Sequence, residues 1–366
     1  MSWVLIFAIY FVPYALMVGE LGSTFKHAGG GVSSWINETI GPRMAYYAGW
    51  TYWVVHMPYI SQKPNSTVIA ASWALFQDKR ASDMNTTVMQ LICLVIFLFA
   101  MYLSSKGMSV LKRLSTLAGS AMFIMSMLFI VMMMAAPALT DGSFLTIDWT
   151  PRTFIPTFDA GFFMGLSILV FAVGGCEKIS PYVNKMENPA KDFSKGMVAL
   201  ALMVGVTAIL GTIALGMMFD SNDIPADLMT NGAYYAFQKL GEYYHLGNFF
   251  VVVYALTNLI GQFSVMVLSV DAPLRMLLDS ADSRFIPKKM FEKNEYGTYT
   301  NGHKLVLLIV CILIVVPAFG IKNVDVLVRW LVKVNSVCMP LRYLWVFVAY
   351  IALKGRGMPF RQNTAL

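Results

Sequence analysis

Apolar residues in this chain fall in runs of about twenty, the length that crosses the hydrocarbon core of a bilayer as a helix rising 1.5 Å per residue. Nine such segments are counted, near 2–19, 44–76, 86–104, 109–136, 158–188, 194–218, 245–278, 303–319 and 326–353. Between them, QDKRASDMN, DSNDIPADLMTNG and DSRFIPKKMFEKNEYGTYTNG gather the turn formers and charges of aqueous loops. The pattern predicts an all-α polytopic membrane protein.

One segment breaks the pattern. The stretch 158–188 is too long for a single straight crossing, and Gly174 and Gly175 fall near its middle with Glu177 and Lys178 directly after them. A break at the glycines would give two half-helices and leave main-chain N–H and C=O groups open to a ligand. The second half, beginning near Glu177, would aim the positive end of its dipole at the break, a favourable place for a carboxylate. The alternative is a glycine-mediated close contact between unbroken helices. Charged residues beside the glycines weigh against it, because they are costly in a plain packed span.

Composition agrees with a membrane setting: 57% of the 366 residues are hydrophobic and 13% charged. The net charge of +7 is not clustered on one helix, so it reads as membrane topology, and no nucleic-acid partner is expected. One side of the bilayer receives about two thirds of the 27 lysines and arginines, from Lys26 and Arg43 through Lys106, Lys112, Arg113, the lysines of 178–195 and the basic loop 275–304 to Lys354, Arg356 and Arg361. The other receives Lys79, Arg80, Arg152, Lys239, Lys322 and Arg329. This bias supports nine crossings with a cytoplasmic C-terminus. The first segment, SWVLIFAIYFVPYALMV, has no charged flank and no cleavage pattern, so a helix is expected to be missing before it.

Several chemistries lack their residues. Cys93, Cys176, Cys311 and Cys338 have no metal-ligand spacing, and there is no His-Glu-x-x-His, Gly-x-Ser-x-Gly or Walker loop. An enzyme, a metal site and a cofactor are therefore not expected. A channel would want a repeated filter element, and none is found.

ELGSTFKHAGGGVSSWINETIGPR, GGCEKISPYVNKMENPAKDFSKGM and APLRMLLDSADSRFIPKKMFEKNEYG resemble, in order and spacing, the amino acid-polyamine-organocation (APC) transporters, most closely their glutamate/GABA antiporter branch. The resemblance implies the inverted-repeat fold of that superfamily, with 1–137 as an incomplete first repeat, 158–353 as the second, and the segments matching helices two to ten. It also implies a secondary transporter exchanging amino acids by alternating access, with an amino acid and the lipid bilayer as partners. The family's broken first helix and its last two helices have no match here. Either the chain is part of a longer protein, or it is a shortened, transport-inactive one.

For the site, the resemblance places an aromatic gate at Phe171, with a core aromatic as the alternative, and backbone contacts at Gly174 and Gly175. Glu177 would pair with another helix, carry a proton or cap the half-helix. His56 and Lys63, seven residues apart on one helical face, would line the cavity, and a lysine there suits an acidic substrate. A structural ion pair is the alternative for Lys63 and plain packing the alternative for His56. Met266 would add an apolar wall or simply pack, and Lys333 and Asn335 would face the same cavity. Arg342 is read as near enough to its helix end to snorkel. Glu20 is expected to anchor a gate at the cytoplasmic end of its helix. The segment 109–136 has no ionisable residue after Arg113, which favours exchange over proton or sodium symport.

Overall fold

The computed structural model describes residues 2–139, 150, 155, 158–220, 223–279, 282–321 and 323–355; Arg152, Lys322, Arg356 and Arg361 of the charge count lie outside them. In order, the helices are α1 (Ser2–Thr24), α2 (Val32–Thr39), α3 (Pro42–Phe76), α4 (Thr86–Ser104), α5 (Met108–Leu139), α6 (Ala160–Val173), α7 (Pro189–Gly216), α8 (Leu228–Tyr243), α9 (Phe249–Leu278), α10 (Thr300–Val315), α11 (Val324–Cys338) and α12 (Pro340–Gly355). A π turn over Phe7–Phe11 interrupts α1, and a 3-10 helix, Cys176–Lys185, follows α6. The described residues contain no β-strand.

Eight of these spans are long and apolar enough to cross a membrane. The remaining expected crossing is α3, whose 35 residues give ample length but carry His56, Gln62, Lys63 and Asn65 in the middle. The last expected segment, 326–353, stands within one span, Val324–Gly355, in which the helical bonding is interrupted after Met339 while the dihedrals of Met339 stay helical. Pro340 has no N–H to offer the carbonyl of Ser336, and its ring opposes continuation of the preceding turn.

Burial follows the rule of a protein in lipid. Ile9, Leu91, Val95, Leu202, Leu344 and Ile351 stand exposed on outer faces, where water would not tolerate them. His56, Gln62, Asn65, Gln90, Asn231 and Asn335 are buried inside, and they bond to one another or to backbone. Gln90 donates to Asn65 Oδ1 at 2.9 Å and Asn335 to Gln62 Oε1 at 2.7 Å.

Two apolar clusters organise the bundle. One joins the later part of α3 with α4, α5, α8, α9 and α10; the other joins α1, α2, α7 and α12 with the start of α3 and the 3-10 segment. The largest interface is between α3 and α9, the two helices that carry the most polar interior side chains. Their crossing is tight at Gly49, where a β-carbon would stand 2.9 Å from the Met276 carbonyl oxygen and 3.0 Å from Leu277 Cα. Helix α3 thus belongs to both clusters, and its middle lies at their seam.

Overpacking a filled contact costs about 1–3 kcal/mol. Gly49→Leu should therefore lower the thermal midpoint of the detergent-solubilised protein by several degrees. Gly119→Leu, at a position with nothing within 4 Å of the new β-carbon, should leave it unchanged.

Candidate functional site

The chain breaks where the glycines stand. Gly174 N–H closes α6 on Val170 O at 3.1 Å, after which Gly174 is extended (φ −70°, ψ 162°) and Gly175 takes φ +112°, a backbone region that side chains with a β-carbon rarely enter. Gly174 is required for a different reason, a close approach. A β-carbon there would lie 1.8 Å from the Tyr343 hydroxyl, so the break is moulded against the first turn of α12. Among the described residues no backbone carbonyl accepts from the N–H groups of Gly175, Cys176 or Glu177, and the carbonyls of Phe171, Ala172 and Val173 consequently have no helical donor. The second half is 3-10 and not α, starting at Cys176, one residue before the expected position.

Three cations surround this break. Arg342 is 2% exposed, which corrects the snorkelling expectation: it lies some thirteen residues from the end of α12, about 20 Å along a helix axis. Its Nε sits 3.2 Å from Glu177 Oε1, its Nη2 donates to the Tyr343 hydroxyl at 3.2 Å, and its Nη1 donates to His56 Nε2. Tyr52 donates its hydroxyl proton to the same Glu177 oxygen. His56 Nδ1 lies 2.7 Å from the Tyr52 carbonyl oxygen. A carbonyl only accepts and a guanidinium only donates, so the partners assign His56 as the neutral imidazole with its proton on Nδ1.

The other two cations share one ring. Lys63 Nζ lies 4.6 Å from the centroid of Tyr59 and Lys178 Nζ 5.2 Å. Phe171 meets that ring edge-on at 6.1 Å and His56 at 6.0 Å. Lys63 donates to Gln262 Oε1 at 3.1 Å, Gln262 to Asn258 Oδ1 at 3.1 Å, and Asn258 to the Tyr234 hydroxyl at 2.8 Å. Tyr234 stacks on Trp73, whose indole donates to Asn231 at 2.8 Å; Asn231 in turn donates to Asp227 at 3.0 Å. Among the described residues no carboxylate lies within 4.0 Å of Lys63 or Lys178. The structural ion pair weighed for Lys63 is thus not formed; a neutral amide and a π-face take its place.

The structure brings His56, Lys63, Phe171, Gly174, Gly175 and Glu177 into one neighbourhood. It does not bring in the rest. Met266 is fully buried in the apolar cluster of α3 and α9. Asn335 is buried and bonded to Gln62, whereas Lys333, two residues away and so about 200° around α11, is exposed. Glu20 is held at the end of α1 by Lys354 at 2.5 Å and the Tyr350 hydroxyl at 2.9 Å.

Sequence reasoning missed Tyr52, Tyr59, Lys178 and Arg342 as members of the site. Two signals were available. Tyr52, His56, Tyr59 and Lys63 follow a spacing of four, three and four, one continuous helical face. Arg342 comes two residues after a proline in the middle of an apolar stretch.

A membrane-embedded helix opened at mid-span over buried charged side chains defines a secondary transporter, in which irregular backbone is tolerated because it lines a solute site. Comparison with known proteins gives the family. The chain belongs to the amino acid permease family, whose profile matches residues 1–361. It is 52% identical to the aspartate/glutamate permease AcaP of Lactococcus lactis subsp. cremoris (strain MG1363), over 96% of this chain and 73% of that protein. It is 24% identical to a probable agmatine/putrescine antiporter, AguD, and 22% identical to a glutamate/gamma-aminobutyrate antiporter, both of Lactococcus lactis subsp. lactis (strain IL1403). Those matches cover 96% and 94% of this chain, and 72% and 68% of the two proteins. The chain is thus an amino acid transporter of the bacterial membrane, of the APC superfamily, and not an enzyme.

Removing one partner from a buried ion pair costs about 3–5 kcal/mol, because the other charge is stranded. Glu177→Ala and Arg342→Ala should each lower the thermal midpoint in detergent markedly. The double variant Glu177→Ala/Arg342→Ala should lose less than the two single losses combined, which a double-mutant cycle measures directly.

Proposed function

We propose that this protein carries acidic amino acids, aspartate or glutamate, across the membrane in exchange for another amino acid, by alternating access at the break between α6 and the 3-10 segment. The observation that supports this best is the charge balance of the site. Among the described residues, Lys63, Lys178 and Arg342 face one carboxylate, Glu177, which is already committed to Arg342 and Tyr52. Excess positive charge buried in an apolar surrounding is unfavourable until an anion enters it. A substrate bearing two carboxylates supplies that anion.

The parts have distinct tasks. The N–H groups of residues 175–177, which have no backbone carbonyl partner among the described residues, hold the α-carboxylate at the positive end of the half-helix. Lys63 provides positive charge towards the second carboxylate, Phe171 covers the bound molecule as an apolar plate, and Glu177 fixes the break by its tie to Arg342. Relatives named for aspartate, glutamate and γ-aminobutyrate are in keeping with such a substrate. Exchange is favoured because α5 carries no ionisable side chain beyond Arg113 that could bind or release a coupling proton at membrane depth. In the repeat assignment 1–137 and 158–353, the long helices α3 and α9 are counterparts, and their broad mutual interface forms the floor against which the other cluster moves.

The Lys63→Ala transporter, reconstituted in proteoliposomes preloaded with glutamate, should lose at least tenfold in counterflow of labelled aspartate while its expression and monodispersity stay normal. Undiminished aspartate exchange by this variant would remove Lys63 from the site. Absence of acidic amino acid exchange by the wild-type transporter would reject the proposed substrate class.

A further inference from the structure

We propose that Lys178 is the residue that selects for a second carboxylate on the substrate, acting as the partner arm to Lys63 across the ring of Tyr59. The inference rests on the reading of the site as one for acidic amino acids and goes beyond it, by giving discrimination between a charged and a neutral side chain to a residue on the moving half-helix.

Four observations carry it. Lys178 lies in the first turn after the break, adjacent to the N–H groups available for the α-carboxylate, so the two binding elements sit on one short segment. Its side chain is 9% exposed, and a lysine ammonium is almost never buried without a counter-charge. Among the described residues its polar side-chain contact is neutral: it donates to the hydroxyl of Ser269 on α9. That hydroxyl has spent its own proton on the Val265 carbonyl at 2.5 Å, so it can only accept from the ammonium and brings no negative charge. Finally, Lys178 and Lys63 lie 5.2 and 4.6 Å from the same aromatic centroid, which places the two ammonium groups at most about 10 Å apart. Like charges at that separation repel in a medium of low dielectric constant.

The nearest carboxylate in sequence does not resolve this. Glu177 points to Arg342 and Tyr52, and its tie to that guanidinium is what fixes the break. Lys178 is therefore parked on a neutral hydroxyl and the π-face of Tyr59, an arrangement that holds an ammonium without neutralising it. A substrate carboxylate arriving between Lys63 and Lys178 satisfies both. An amide of the same shape offers an acceptor oxygen but no charge, and its NH2 group would face two cations.

The test is the ratio of apparent KM values for asparagine and aspartate, two substrates of nearly equal shape that differ in charge, measured in proteoliposomes for the wild type, Lys178→Gln, Lys178→Arg and Ser269→Ala. We expect Lys178→Gln to shift the ratio at least tenfold towards asparagine. Lys178→Arg should keep the preference for aspartate. Ser269→Ala, which takes away the competing neutral partner and keeps the cation, should lower KM for aspartate and not for asparagine. An unchanged ratio in Lys178→Gln overturns the proposal, as does an equal change for both substrates, which marks a purely structural lysine. Should Lys178→Gln not fold, Ser269→Ala decides: a KM change equal for the two substrates, or none, overturns it. A wild type that prefers aspartate while Lys178→Gln does too removes only the role of Lys178; a wild type indifferent to acidic amino acids removes the proposed substrate class as well.

Discussion

The ion pair between Glu177 and Arg342 ties the place where the chain abandons helical geometry to the proline-led start of α12. Glu177 stands just past the glycines that end α6, and Arg342 just past the proline that begins α12. Neither charge could remain buried alone, and both are held by further groups: Tyr52 on the carboxylate, His56 and Tyr343 on the guanidinium. Three elements, α3, the 3-10 continuation of α6, and α12, converge on one electrostatic contact. The unwound backbone at Gly174 and Gly175 keeps its shape because Tyr343, adjacent to the arginine, fills the space a β-carbon would need.

With the break held this way, the two apolar clusters can meet along a polar seam. The faces of α3 show how. Tyr52 and His56 look to the arginine, Tyr59 to Phe171 and Lys178, Lys63 to Gln262 of α9, Gln62 to α11, and Asn65 to α4. A helix polar on so many sides is stable in lipid only when neighbours cover every side, which explains why α3 is shared between both clusters and why it is the least lipid-like of the spans. Charge in this seam is unevenly supplied. The carboxylate present is consumed by the arginine, and two lysines are left with amide, hydroxyl and aromatic partners.

Much of this architecture could be read from the chain alone, for definite physical reasons. Lipid demands long apolar runs, so the spans declare themselves; a glycine pair followed at once by Glu177 and Lys178 violates that demand, so the break declares itself too. The APC resemblance drawn from the motifs around Gly174 and around Glu20 agrees with the family match. What was illegible depends on direction. Lys178 could be seen as a charge in the wrong place, but only the left-handed turn at Gly175 and the 3-10 winding after it decide that its side chain runs inward to Ser269 and Tyr59. Arg342 was misjudged because its distance from the end of the span, some thirteen residues, is more than an arginine side chain can reach, and its partners hold it inside. Lys333 and Asn335, read as a pair, separate because residues two apart on a helix face opposite ways.

The proline at the start of α12 also sets a counting constraint. From Pro340 the helix turns about 100° per residue, so Arg342 and Tyr343 arrive on the inner face while Leu341 and Leu344, on either side of them, are left on the lipid face. Loss or gain of one residue between Pro340 and Arg342 would swing the guanidinium round to the hydrocarbon and a leucine in towards Glu177. Variation in length is therefore barred from this stretch even though it touches no solute, and a sequence two residues long acts as the gauge that keeps distant parts of the transporter in phase.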